Sequence, residues 1–150
     1  SHPYFNLEQE DTLINHELFV SSKYILGKND LNQFDKPILA STYNKDFTTP
    51  KKLIISDEFQ LDDIYLIENE TNFFNLSTKN FELSLQTNYP ALVLFTQNAP
   101  TKTELSNSKE KKKYVGLAVE CQLKQSELPI VKANTPYDYY LSYNFKIKAD

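Results

Sequence analysis

The chain has 150 residues, 40% of them hydrophobic and 24% charged, with a formal charge of −4. That length supports one domain with a core of its own, and the mild acidity removes the electrostatic basis for nucleic-acid binding, which needs a basic surface. All sixteen basic residues are lysines, so no arginine fork is present for phosphate or carboxylate, and a neutral ligand such as a free sugar fits better.

The single cysteine, Cys121, excludes an internal disulfide and a multi-cysteine zinc site, and it is compatible with a reducing compartment. No apolar run approaches the ~20 residues that span a bilayer, and nothing resembles a signal peptide. The expectation is a cytoplasmic protein with no membrane or nucleic-acid partner. Methionine is absent, and the chain is expected to be a portion of something longer.

Glycine occurs only at Gly27 and Gly116, which excludes the glycine-rich loops that cradle phosphates. From the start, Glu8 to Leu18 is expected as a short helix. Leu18 to Val20, Lys52 to Ile55 and Ile64 to Ile67 read as strands, being β-branched or aromatic and bounded by turn residues. Phe81 to Leu85 alternates with one face apolar. Ala91 to Phe95 is a continuous apolar run, as for a strand covered on both faces. Thr101 to Lys113 reads as a polar loop whose lysines form a solvated face rather than an anion site. Tyr114 to Leu123 and Tyr139 to Ile147 are the longest strand candidates, and Leu141, Tyr143, Phe145 and Ile147 would share one face. Short strands separated by turns predict an all-β fold, an antiparallel β-sandwich.

Few residues can carry chemistry. The two histidines, His2 and His16, cannot make a three-histidine zinc site, and no metal is expected. There is no nucleophile elbow, and Cys121 reads as a small residue on a buried strand. Glu120 stands out, set in the otherwise apolar run Gly116-Leu117-Ala118-Val119-Glu120-Cys121-Gln122. Alternation puts it on one face with Ala118 and Gln122, so it is either an edge residue or a functional carboxylate. Asp62 and Asp63 lie at the mouth of a strand, where they could hold a metal or a polyol or cap a turn. His16 is expected to be a packing histidine.

Several segments then fall into one order. Ser1-His2-Pro3-Tyr4-Phe5-Asn6-Leu7, Asn15-His16-Glu17-Leu18-Phe19-Val20, Lys45-Asp46-Phe47-Thr48-Thr49-Pro50-Lys51-Lys52-Leu53, Leu61-Asp62-Asp63-Ile64-Tyr65-Leu66, Tyr89 to Asn98, Gly116 to Gln122 and Thr135 to Tyr140 each resemble a motif of the aldose 1-epimerase family. The resemblance implies a galactose-mutarotase-like supersandwich, of which residues 1–150 would be the C-terminal portion, with the N-terminal portion absent. It implies an enzyme that interconverts the α and β anomers of a free hexose without a cofactor. Glu120 would be the base, His2 the acid, and Asp62 and Gln97 substrate-binding residues. The family's other histidine and its arginine would lie in an N-terminal half, expected as a partner alongside the monosaccharide. The departures are Gln60 and Gln97 at glycine positions of the pattern, Asp63 at a histidine position, and Val93 where many members carry a sugar-binding glutamine. A non-catalytic carbohydrate-binding sandwich is the alternative, since fold does not fix function.

Overall fold

The computed structural model describes residues 2–28, 34–100, 112–124, 132–134 and 136–149. The loop expected from Thr101 falls outside the described residues except for Lys112 and Lys113, as does Thr135 of the closing motif. Both of those lysines are engaged in surface ion pairs, Lys112 with Asp11 at 2.7 Å and Lys113 with Asp57 at 2.8 Å.

The described strands are β1 (Tyr4–Phe5), β2 (Glu17–Val20), β3 (Tyr24–Lys28), β4 (Phe34–Leu39), β5 (Lys51–Lys52), β6 (Asp62–Leu66), β7 (Phe74–Ser77), β8 (Phe81–Thr87), β9 (Ala91–Phe95), β10 (Leu117–Gln122) and β11 (Leu141–Ile147), with one 3₁₀ turn at Ala40–Tyr43. They form two antiparallel sheets. One has the order β1-β10-β9-β6-β3-β4 and the other β11-β8-β7-β2-β5.

The core lies between the sheets. Ile25, Tyr65, Leu92, Leu94, Leu117 and Val119 pack from the first sheet onto Leu18, Val20, Leu76, Leu83 and Leu85 of the second, all nearly inaccessible. Burial of each such side chain contributes roughly 1.5–3 kcal/mol. Tyr143 of β11 crosses the layers, its hydroxyl donating to the Val119 carbonyl at 2.9 Å. Register follows from this pattern: Tyr65 opposes Leu92 and Ile25, and Leu94 opposes Val119. The alternate residues Ala118, Glu120, Val93 and Ile64 therefore face away from the second sheet.

Four expectations change. No helix forms over Glu8 to Leu18. The Asn6 side chain bonds both the N–H and the carbonyl of Glu10, at 3.3 and 2.6 Å, and Gln9 has φ 55°. These local bonds and the left-handed residue compete with a helical ladder, and Glu17 and Leu18 join β2 instead. The strand expected to Ile55 is only Lys51–Lys52, because Ile54 N–H turns back to the Lys52 carbonyl at 3.1 Å. The strand expected from Tyr114 begins at Leu117, since Tyr114 has φ 61°. Along β9, Leu92 and Leu94 are buried while Val93 and Phe95 are half-buried, so its outer face is only partly covered.

Candidate active site

Glu120 lies mid-strand in β10, opposite Val93 of β9, which in turn opposes Ile64 of β6. On its other side β10 is paired by β1 through Tyr4 opposite Ala118 and Phe5 opposite Leu117, and Val119 N–H reaches the Pro3 carbonyl at 3.3 Å, so Glu120 lies just beyond the paired rungs. Gly116 permits that approach: a Cβ there would meet Tyr4 Cβ at 3.2 Å. Asn6 ties the far end of β1 down by donating to the Val115 carbonyl at 2.8 Å.

This pairing carries His2 to Glu120. His2 Nε2 sits 3.0 Å from Glu120 Oε1, with the histidine 57% exposed and the carboxylate only 21%. A polar contact this exposed contributes little to stability. The imidazole stacks on Tyr4, centroids 5.3 Å apart, and Tyr4 meets Phe95 edge-on at 6.4 Å. Burial, then the charge of Glu120, raises the Tyr4 phenol above its ordinary value, so Tyr4 stays a neutral aromatic wall beside the carboxylate.

Asp62 and Asp63 do not converge. β6 starts earlier than expected and takes in both residues, so alternation sends them to opposite faces. Asp62 is on the outer face, level with Phe95, and pairs with Lys28 at 3.6 Å. Asp63 is buried and accepts two hydrogen bonds from Lys45, at 2.7 and 2.9 Å. Its Oδ2 also accepts the Asp62 N–H at 3.0 Å. Neither a joint metal grip nor a turn cap describes them. Asp62 lies two strands and two residues from Glu120, a Cα separation of about 12 Å.

Gln97 follows β9 with φ 47°, the left-handed backbone that favours glycine. Its carbonyl accepts the Tyr114 N–H at 3.1 Å. His16 is fully buried just before β2, and Cys121 is half-buried with its thiol pushed up to about 12 by burial, so neither joins the site. The structure thus joins His2 to Glu120 and places Asp62 on the same face. Gln97 is set by its backbone at the end of the strand next to Asp62. Sequence reasoning missed Tyr4 as the platform under His2, and Lys28 as the partner of Asp62. The alternation of Tyr4 with His2 was the available signal for the first. Lys28 lies in β3, which was not expected as a strand.

The sequence matches the aldose 1-epimerase family over residues 1–144. The chain belongs to the aldose 1-epimerase family. A comparison with curated proteins gives no match. Among solved structures, the chain is similar to a GalM/aldose epimerase homologue from C. elegans, with 22% identity and a TM-score of 0.74 over 97% of this chain and 50% of that one. It is also similar to galactose 1-epimerase from Lactobacillus acidophilus, with 21% identity and a TM-score of 0.74 over 97% of this chain and 47% of that one. The fold is therefore that of a mutarotase-like β-sandwich, and the chain spans about half the length of these structures. Among the described residues no helix is long and apolar enough to cross a membrane.

Proposed function

We propose that this chain carries the acid and base of an aldose 1-epimerase that interconverts the α and β anomers of a free hexose. The observation that supports it most is the 3.0 Å contact of His2 Nε2 with Glu120 Oε1, on the sheet face that also bears Asp62. The anomeric hydroxyl and the ring oxygen are both bonded to C1, so a sugar that displaces the direct His2–Glu120 contact presents both at once. Glu120 takes the hydroxyl proton while His2 gives one to the ring oxygen. The C1–O bond opens to the aldehyde, the C1–C2 bond rotates, and closure on the other face returns both protons. Each transfer is worth roughly 10²–10⁴-fold, and no group outside the chain need supply or remove an electron. Asp62 and Gln97 hold the ring so that the reacting atoms stay aligned.

The N-terminal half of the same protein is the proposed partner, supplied in one chain, a nicked complex or a second chain. Phe145 is 63% and Ile147 78% exposed on β11, and such apolar side chains normally meet a cover. A cytoplasmic setting belongs to this reading and is supported by a sequence with one cysteine.

Polarimetry on freshly dissolved α-glucose and α-galactose tests the proposal, with the partner half present. Wild type should accelerate the drift in rotation, and Glu120→Gln, which keeps the shape but takes no proton, should abolish it while sugar binding persists. An unchanged rate in Glu120→Gln removes Glu120 as the base. Sugar binding by wild type without any exchange would mark a non-catalytic carbohydrate-binding sandwich.

A further inference from the structure

At the start of β6, where its two faces meet the end of the sheet, a cleft of about 440 Å³ has a lining that includes Lys28, Lys45, Gln60, Asp62, Asp63 and Asn98. It holds two lysine–aspartate pairs of different character. Lys45 and Asp63 form a closed pair, bonded at 2.7 and 2.9 Å, with side chains 20% and 11% exposed. Lys28 and Asp62 form an open pair, 3.6 Å apart, with side chains 40% and 59% exposed.

The closed pair braces the open one. Asp63 accepts the Asp62 N–H at 3.0 Å, and the Tyr65 hydroxyl fixes the Lys45 carbonyl at 2.8 Å. The Asp62 backbone is thereby held whatever the cleft contains. The spacing of the open pair exceeds an ordinary N–H···O bond, so a hydroxyl can bridge it by donating to Asp62 and accepting from Lys28. An anionic group would meet Asp62, and a deoxy carbon could neither donate to Asp62 nor accept from Lys28. In the sheet order, β3 lies beyond β6 and β9 from β10, so Lys28 stands about 14 Å from the line of Glu120.

We propose that Lys28 is a second sugar-contacting residue, which with Asp62 clamps one hydroxyl at the end of the ring farthest from C1. This rests on the reading of the site as a sugar site. Lys28 binds and takes no part in the proton transfers. The pair selects neutral sugars that carry a free hydroxyl at that position.

With the partner half present, the test compares wild type, Lys28→Met and Lys28→Arg in anomer exchange with the hexose and its monodeoxy analogues. Lys28→Met should raise KM about tenfold, the scale of one lost charged hydrogen bond, and leave kcat within about twofold. Lys28→Arg should restore most of the loss. For one monodeoxy analogue, wild type and Lys28→Met should be equal. Because the pair is exposed, the urea midpoint of Lys28→Met should match wild type. An unchanged KM, or a loss confined to kcat, overturns the proposal. If wild type binds these sugars without interconverting them, the mutarotase reading fails alone, and the same comparison of Kd by NMR titration decides Lys28. If wild type binds none of them, both fall.

Discussion

Leu7 donates its backbone N–H to Nε2 of the fully buried His16 at 2.9 Å, and this bond holds the segment that leads out of β1. An imidazole that accepts at Nε2 carries its proton on Nδ1, and Nδ1 is buried with no well-formed hydrogen bond. Burial lowers the His16 pKa from its ordinary 6.5, while the Leu13 carbonyl and the charges of Glu8 and Glu10 act the other way. The unfolded chain therefore binds a proton near 6.5 that the folded chain resists. Stability from neutral His16 is complete above that pH and declines as pH falls below it toward the folded value. Urea midpoints between pH 8 and pH 5 should show this decline, and His16→Gln should flatten it. A midpoint that rises on acidification would refute it.

The Lys45–Asp63 pair is mostly buried, so its halves should be unequal to the whole. Asp63→Ala should cost about 3 kcal/mol, because it strands the Lys45 ammonium and the Asp62 N–H. The double substitution Lys45→Met with Asp63→Leu should cost less than Asp63→Ala alone. Chemical denaturation of the three variants checks the ordering.

Gln97→Gly should be neutral or stabilising by up to about 1 kcal/mol, since φ 47° suits glycine without steric penalty. Gln97→Val should destabilise by about 1–2 kcal/mol, because a β-branched side chain is strained there. Thermal melts report both, and kcat of Gln97→Gly separates backbone from side-chain effects at the site.

Phe145 and Ile147 leave an apolar strip beside Tyr4, Phe5, Leu7 and Phe81. The chain alone should self-associate through it, and Phe145→Ser with Ile147→Thr should return it toward a monomer. The same pair of changes should weaken assembly with the N-terminal half. Light scattering across a concentration series measures the first and co-elution the second.

What could be read in the sequence divides by how local the signal was. Phe81 to Leu85 and Ala91 to Phe95 emerge as strands β8 and β9 because their apolar period is carried by adjacent residues. β4 stayed hidden behind Pro37, which an edge strand tolerates. β3 has its buried Ile25 opposite Tyr65 of a distant strand, so pairing rather than pattern defines it. Helical propensity over Glu8 to Leu18 lost to side-chain bonds of Asn6 that no periodicity reports. At the site, Glu120 was conspicuous as a carboxylate in an apolar run, and the family resemblance supplied His2. The separation of Asp62 from Asp63 depended on where β6 begins, and a shift of one residue would have exchanged their faces.

The two-residue pairing of β1 with β10 has a kinetic meaning. His2 and Glu120 are far apart in the sequence, so their contact needs a long loop closure. During refolding, native strand content should return before activity does, because the sheet can assemble around β9 while β1 is still undocked. The reverse holds on heating. A two-rung edge opens at lower free energy than the core strands, so catalysis should fade while circular dichroism still reports an intact sandwich. Turnover would then monitor the docking of β1, a quantity that bulk unfolding curves average away.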